Sequence, residues 1–142
     1  PNRLNPNTIR LEWKQKDVPD MTFNAYQLSD GSLRFICLAA LLMQPEPPQT
    51  ILIDEPELGL HPLAINKLCA MLKKVSSSSQ IIVSTQSVNL VDNFAPEDII
   101  VADRKGNETV FCRLDGKDLE EWLKDYSMGE LWEKNLVGGQ PF

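Results

Sequence analysis

No apolar stretch approaches the ~20 residues that a bilayer-spanning helix needs; the longest, Phe35 to Met43, has the length of a buried helix. There is one histidine, His61, so no Cys/His metal cluster can be assembled. Lys and Arg form no run and the net charge is −6, so the chain as a whole lacks a nucleic-acid footprint. Cysteine is scarce. Cys37, Cys69 and Cys112 are odd in number, widely spaced and set in apolar segments. That predicts buried, reduced thiols of a cytosolic protein rather than a disulfide frame. The N-terminus is polar and contains proline, unlike a signal peptide. The phosphate-cradling pattern G-x-x-x-x-G-K-S/T is also missing. The Gly116-Lys117 pair is followed by Asp118 and lacks the upstream glycine.

What is present fits one globular domain: 142 residues, 42% hydrophobic and 24% charged, with no internal repeat or boundary. Ile9, Leu11 and Trp13 alternate with polar residues and predict a short strand, followed by an extended piece over 21–27. Leu28 to Gly31 read as a loop. Ser32 to Gln44 is apolar nearly all round, which predicts a buried helix stopped by Pro45, Pro47 and Pro48. Thr50 to Asp54 and Gln80 to Ser84 are apolar, β-branched runs suited to buried parallel strands. Between them Pro62 suits a first helical turn, and Leu68, Met71, Leu72 and Val75 share one helical face. A short helix is expected over Val88 to Phe94. Asp98–Ala102 and Thr109–Leu114 read as a hairpin around Lys105-Gly106-Asn107. Asp118 and Glu121 have capping-box spacing and predict a helix burying Leu119, Trp122, Leu123 and Tyr126. The central order strand–helix–strand–helix–strand argues for an α/β layer.

Three segments carry chemistry. In Ile51-Leu52-Ile53-Asp54-Glu55-Pro56 an apolar strand delivers two adjacent acids to its C-terminal edge, where α/β sheets bind ligands. Neighbouring strand residues point to opposite sides, so the acids can divide their work. Asp54 is placed to hold magnesium and Glu55 to activate an attacking water. In Leu28-Ser29-Asp30-Gly31-Ser32-Leu33-Arg34, a serine and a glycine precede a helix whose free N–H groups favour an oxyanion. Alone, that loop reads as an ordinary N-cap. Ile82-Val83-Ser84-Thr85-Gln86-Ser87 is an apolar strand ending in polar groups; alone, it reads as a strand running into the next helix cap.

In order and spacing, these segments resemble the C-terminal half of an ABC-type ATPase head of the RecF/SMC/OLD-like bacterial AAA family ATPases. Leu28-Ser29-Asp30-Gly31-Ser32 looks like the ABC signature motif. Ile51 to Glu55 looks like Walker B, and Glu57-Leu58-Gly59-Leu60-His61-Pro62 looks like the D-loop. Gln86 stands where the family has its switch histidine. The resemblance implies the C-terminal lobe of a P-loop NTPase with a mainly parallel sheet flanked by helices. Residues 1–142 are then a single partial domain, and the Walker A lobe is N-terminal to it.

The resemblance further implies ATP and Mg2+ as cofactors and a cytoplasmic homodimer joined through ATP. Ser29, Asp30, Gly31, Ser32, Arg34 and His61 would contact nucleotide, Asp54 the metal, and Glu55 and Gln86 the reaction. Arg34 is placed either at a phosphate across the dimer or against a nearby acid. His61 reads first as a helix-cap neighbour or D-loop interface residue. Gln86 hydrogen-bonds but cannot become cationic, which implies slow turnover. The chain by itself is expected to be inactive. The process (DNA repair, chromosome maintenance or phage defence) and DNA as a partner stay open. A second reading is a non-catalytic dimerisation or partner-docking module with an ATPase-like fold.

Overall fold

The computed structural model describes residues 2–5 and 8–139. Its elements run β1 (Asn2–Asn5), β2 (Thr8–Arg10), β3 (Glu12–Gln15), β4 (Val18–Asn24), α1 (Asp30–Leu42), β5 (Thr50–Asp54), α2 (Pro62–Val75), β6 (Gln80–Ser84), α3 (Val88–Val91), β7 (Ile100–Lys105), β8 (Glu108–Arg113), α4 (Gly116–Leu119) and α5 (Met128–Glu133). β5 and β6 form a parallel pair; β1–β2, β3–β4 and β7–β8 are antiparallel pairs.

The core lies on one face of the parallel pair. Ile51 of β5 packs with Leu42 of α1 and Leu68, Leu72 and Val75 of α2. Ile65 and Cys69, on the adjoining stripe of α2, pack with Leu90 of α3. This is the 3.6-residue periodicity of α2 translated into burial. α2 starts as its Pro62 suggests, with His61 as N-cap, and Lys73 and Lys74 lie in its last turn, where cations favour the helix dipole. At the C-terminal end Gly129 of α5 lies against α3, its N–H donating to Asp92 Oδ1 at 2.6 Å. A Cβ there would meet Val88 Cγ1 at 2.3 Å.

Several expectations need correction. The strand expected around Ile9, Leu11 and Trp13 is two strands: β2 pairs with β1, and β3 with β4. The extended piece over 21–27 starts earlier, at Val18, and its last residues, Ala25–Gln27, form a 3-10 turn. Trp13 and Phe23, opposite each other across β3–β4, stack with ring centroids 4.6 Å apart. α1 begins at Asp30, so the supposed loop residues Asp30 and Gly31 are its first turn. It is also not buried all round: only Gly31 and Leu42 are buried, and Ile36 is exposed, because α1 is covered on one side only. Likewise β5 and β6 are covered on one face only. Ile51 is buried while Leu52 is 73% exposed, and Ile82 of β6 is exposed beside it.

Cys69 alone is a buried thiol; Cys37 and Cys112 are free and exposed. The helix expected from Asp118 is instead a single turn, α4, capped by Asp115, then a 3-10 turn over Trp122–Lys124. Trp122 is exposed. The capping box belongs to Ser127 and Glu130 at the start of α5. The hairpin is present as β7–β8 around Gly106-Asn107, its first strand starting at Ile100 because Pro96–Asp98 form a 3-10 turn.

Candidate functional site

The parallel register sets Asp54 directly beside Ser84 at the C-terminal ends of β5 and β6. Ser84 Oγ donates to Asp54 Oδ1. By the period of a strand both side chains lie on the face that also carries the exposed Leu52 and Ile82. The bare apolar surface therefore ends at a carboxylate and a hydroxyl.

Glu55 has left the strand. Its φ is +41°, a left-handed backbone that non-glycine residues seldom adopt, and Pro56 follows it. Glu55 therefore lies in a turn beyond the end of β5, not in the strand pleat assumed from the sequence. The turn is held from several sides. Glu55 N donates to Ser84 O at 2.9 Å, and Glu55 O accepts from Leu58 N at 3.3 Å. The same carbonyl accepts from Arg34 Nη1 at 3.0 Å. The Pro56 side chain is fully buried and anchors the exit.

Glu57 makes a second link between the two strand ends. Thr85 Oγ1 donates to Glu57 Oε1 at 2.5 Å and accepts from Ser87 N at 3.0 Å. The other oxygen, Glu57 Oε2, is buried and has no hydrogen-bond partner among the described residues. Glu57, Ser84 and Thr85 were not among the residues picked from the sequence. The signal was available: equal-length parallel strands ending Asp54 and Ser84 put those two side by side. Gln86, the residue picked at this strand end, is exposed just beyond it.

The serine-glycine loop caps α1. Ser29 Oγ accepts from Ser32 N at 3.2 Å and lies 2.9 Å from Ser32 Oγ. Asp30 occupies the first turn, where an acid favours the helix dipole. Gly31 abuts the loop after β5: a Cβ at position 31 would stand 2.0 Å from Gly59 O. Gly59 itself has a φ of +75°. His61 Nδ1 accepts from Leu63 N at 3.2 Å. The structure thus brings Arg34 to Glu55, and Gly31 to Gly59 two residues before His61, while Gln86 is exposed.

The donor set suits magnesium bound with nucleotide. Asp54 and Ser84 offer hard oxygens at an exposed strand edge. Among the described residues no group of three or more His, Cys, Asp or Glu forms a metal cage. Mg2+ is commonly held by one or two carboxylates plus substrate phosphates and water, so no cage is required.

Among the described residues no helix is long and apolar enough to cross a membrane. The chain is 34% identical over 98 residues to the energy-coupling factor transporter ATP-binding protein EcfA of Methanocaldococcus jannaschii, covering 68% of this chain and 30% of that protein. It is 36% identical over 78 residues to the Old nuclease of Escherichia phage P2, covering 54% of this chain and 13% of that one. The chain therefore spans less than a third of the length of either relative. Among solved structures it matches one described as structural biochemistry of ATP-driven dimerization and DNA stimulated activation of SMC ATPases. The TM-score is 0.64 at 18% identity, over 84% of this chain and 73% of that one. It also matches an SMC head bound to the C-winged helix domain of ScpA, with a TM-score of 0.60 at 23% identity, over 73% of this chain and 31% of that one. The fold is thus that of P-loop NTPase heads. The family described as "AAA domain, putative AbiEii toxin, Type IV TA system" matches residues 17–92, more than half of the chain. The chain belongs to this AAA-domain family, and it is similar to ABC-type ATP-binding proteins and to Old nuclease.

Proposed function

We propose that this chain is the C-terminal lobe of an ATP-hydrolysing head that works as a cytoplasmic homodimer joined through ATP. The observation that carries this reading is the meeting of Asp54, Glu55 and Ser84 at the ends of two parallel strands. Asp54, with Ser84 beside it, holds the metal edge of the nucleotide. Magnesium, when bound, supplies charge neutralisation at the phosphates. Glu55 orients the attacking water and accepts its proton. Ser29, Asp30, Gly31 and Ser32, at the start of α1, meet the phosphates of the nucleotide held by the other head, with His61 nearby, while Arg34 bonds the Glu55 carbonyl. Gln86 hydrogen-bonds to phosphate or water and limits the rate.

The phosphate cradle comes from an N-terminal Walker A lobe. The bare face of Leu52 and Ile82 supports this, since a layer placed on it would end at Asp54. DNA repair or maintenance, or phage defence, is the setting we favour. The relationship to Old nuclease and the SMC heads motivates it, and DNA is the corresponding partner.

Calorimetry with magnesium and a non-hydrolysable ATP analogue tests the reading, using this chain alone and mixed with an N-terminal segment carrying a phosphate loop. Binding only in the mixture is expected. A folded mixture that binds nothing would replace the ATPase reading with that of a partner-docking module. In the active pair, Glu55→Gln should trap an ATP-bound dimer and lower turnover about a hundredfold or more.

A further inference from the structure

We infer that Arg34 is a positioning residue for Glu55, acting through the Glu55 main-chain carbonyl rather than on the nucleotide. This rests on the reading of Glu55 as the base. Glu55 holds a left-handed backbone directly before a proline, a conformation that persists only where the surroundings over-determine it. Its N–H is tied to Ser84 O at 2.9 Å. Its carbonyl accepts from Leu58 N at 3.3 Å, within the turn itself. The contact to that carbonyl from outside the turn is Arg34 Nη1 at 3.0 Å, a charged donor from a helix 21 residues away in sequence.

Arg34 lies one turn into α1, whose N-terminus Ser29 caps and whose Gly31 abuts Gly59. The helix that begins at the serine-glycine loop thus grips the backbone of the candidate base. A shift of α1 along its axis loosens or tightens the Glu55 turn and so re-aims its carboxylate. The bond is a single charged donor to one carbonyl, so a lysine ammonium can stand in for it, unlike at a bidentate site.

The test uses steady-state ATP hydrolysis by the pair of this chain and its phosphate-loop segment. Arg34→Gln should lower kcat roughly tenfold or more while KM stays within about twofold, since a misaimed group costs rate rather than binding. Arg34→Lys should restore most of kcat. In a Glu55→Gln background, Arg34→Gln should have no further effect. In the 142-residue chain alone, Arg34→Gln should speed amide exchange at Leu58, which shares the Glu55 carbonyl.

If Glu55→Gln abolishes turnover but Arg34→Gln leaves kcat unchanged, the positioning role fails and the ATPase reading stands. A raised KM with unchanged kcat would make Arg34 a nucleotide contact instead. Turnover unaffected by Glu55→Gln would remove the proposed base, and this inference with it.

Discussion

Gly31 lies so close to Gly59 that a side-chain carbon at position 31 would stand 2.0 Å from the Gly59 carbonyl oxygen and 2.9 Å from its carbon. The obstacle is backbone, which cannot rotate away as a side chain can. Gly59 is itself fixed by a φ of +75°. The start of α1 and the loop after β5 are thereby held at glycine-to-backbone distance.

Gly31→Ala should therefore push the two segments apart. A loss of about 1–3 kcal/mol is expected, the usual cost of overpacking. Urea unfolding of the chain would measure it. An unchanged midpoint would show that the two loops separate freely in solution.

Thr85 and Glu57 should be energetically coupled. Thr85→Val removes the donor to Glu57 Oε1, and Oε2 is already buried without a partner among the described residues. A cost of about 1–3 kcal/mol is expected for leaving the part-buried carboxylate less satisfied. In a double-mutant cycle with Glu57→Gln, a coupling of roughly 0.5–3 kcal/mol should emerge. Strict additivity would mean the hydrogen bond contributes nothing.

Leu52 and Leu68 should respond oppositely to the same change. Leu68 is 0% exposed, so Leu68→Ala should cost about 2–5 kcal/mol by cavity formation. Leu52 is 73% exposed, so Leu52→Ala should stay within about 0.5 kcal/mol in this chain alone. In the pair with the phosphate-loop segment, Leu52→Ala should instead weaken association. Equal effects of Leu52→Ala on folding and on association would argue against a covering layer.

The thiols should separate by reactivity. Burial pushes the Cys69 thiol above its ordinary value of 9.0, with the nearby Lys73 charge opposing. Cys37 and Cys112 are exposed. At neutral pH a thiol reagent should label those two and spare Cys69 until the chain unfolds. The folded state holds the Cys69 proton to higher pH than the unfolded state does. Stability should therefore fall as pH rises through and above 9.0. In Cys69→Ala that part of the alkaline loss should vanish.

The sequence by itself determined the order strand–helix–strand–helix–strand between Thr50 and Ala102, because each part is local. The short, β-branched apolar runs over 51–53 and 81–83, bounded by polar residues, suit strands better than helices by their length and composition. Pro62 and the stripe through Leu68, Leu72 and Val75 specify α2 and its buried face. Asp54 and Glu55 at a strand end, and Ser29 before a helix, were legible for the same reason.

The tertiary structure decided what depends on neighbours. Hydrophobicity alone cannot say whether one face of a strand or two is covered, so Leu52 and Ile82 read as core but stand bare. A left-handed Glu55 before a proline contradicts local preference and is fixed by bonds from β6 and α1. The partners Ser84, Thr85 and Glu57 follow from strand register, which brings together residues 28 to 30 positions apart. Such pairings become energetically real only when the parallel strands close side by side.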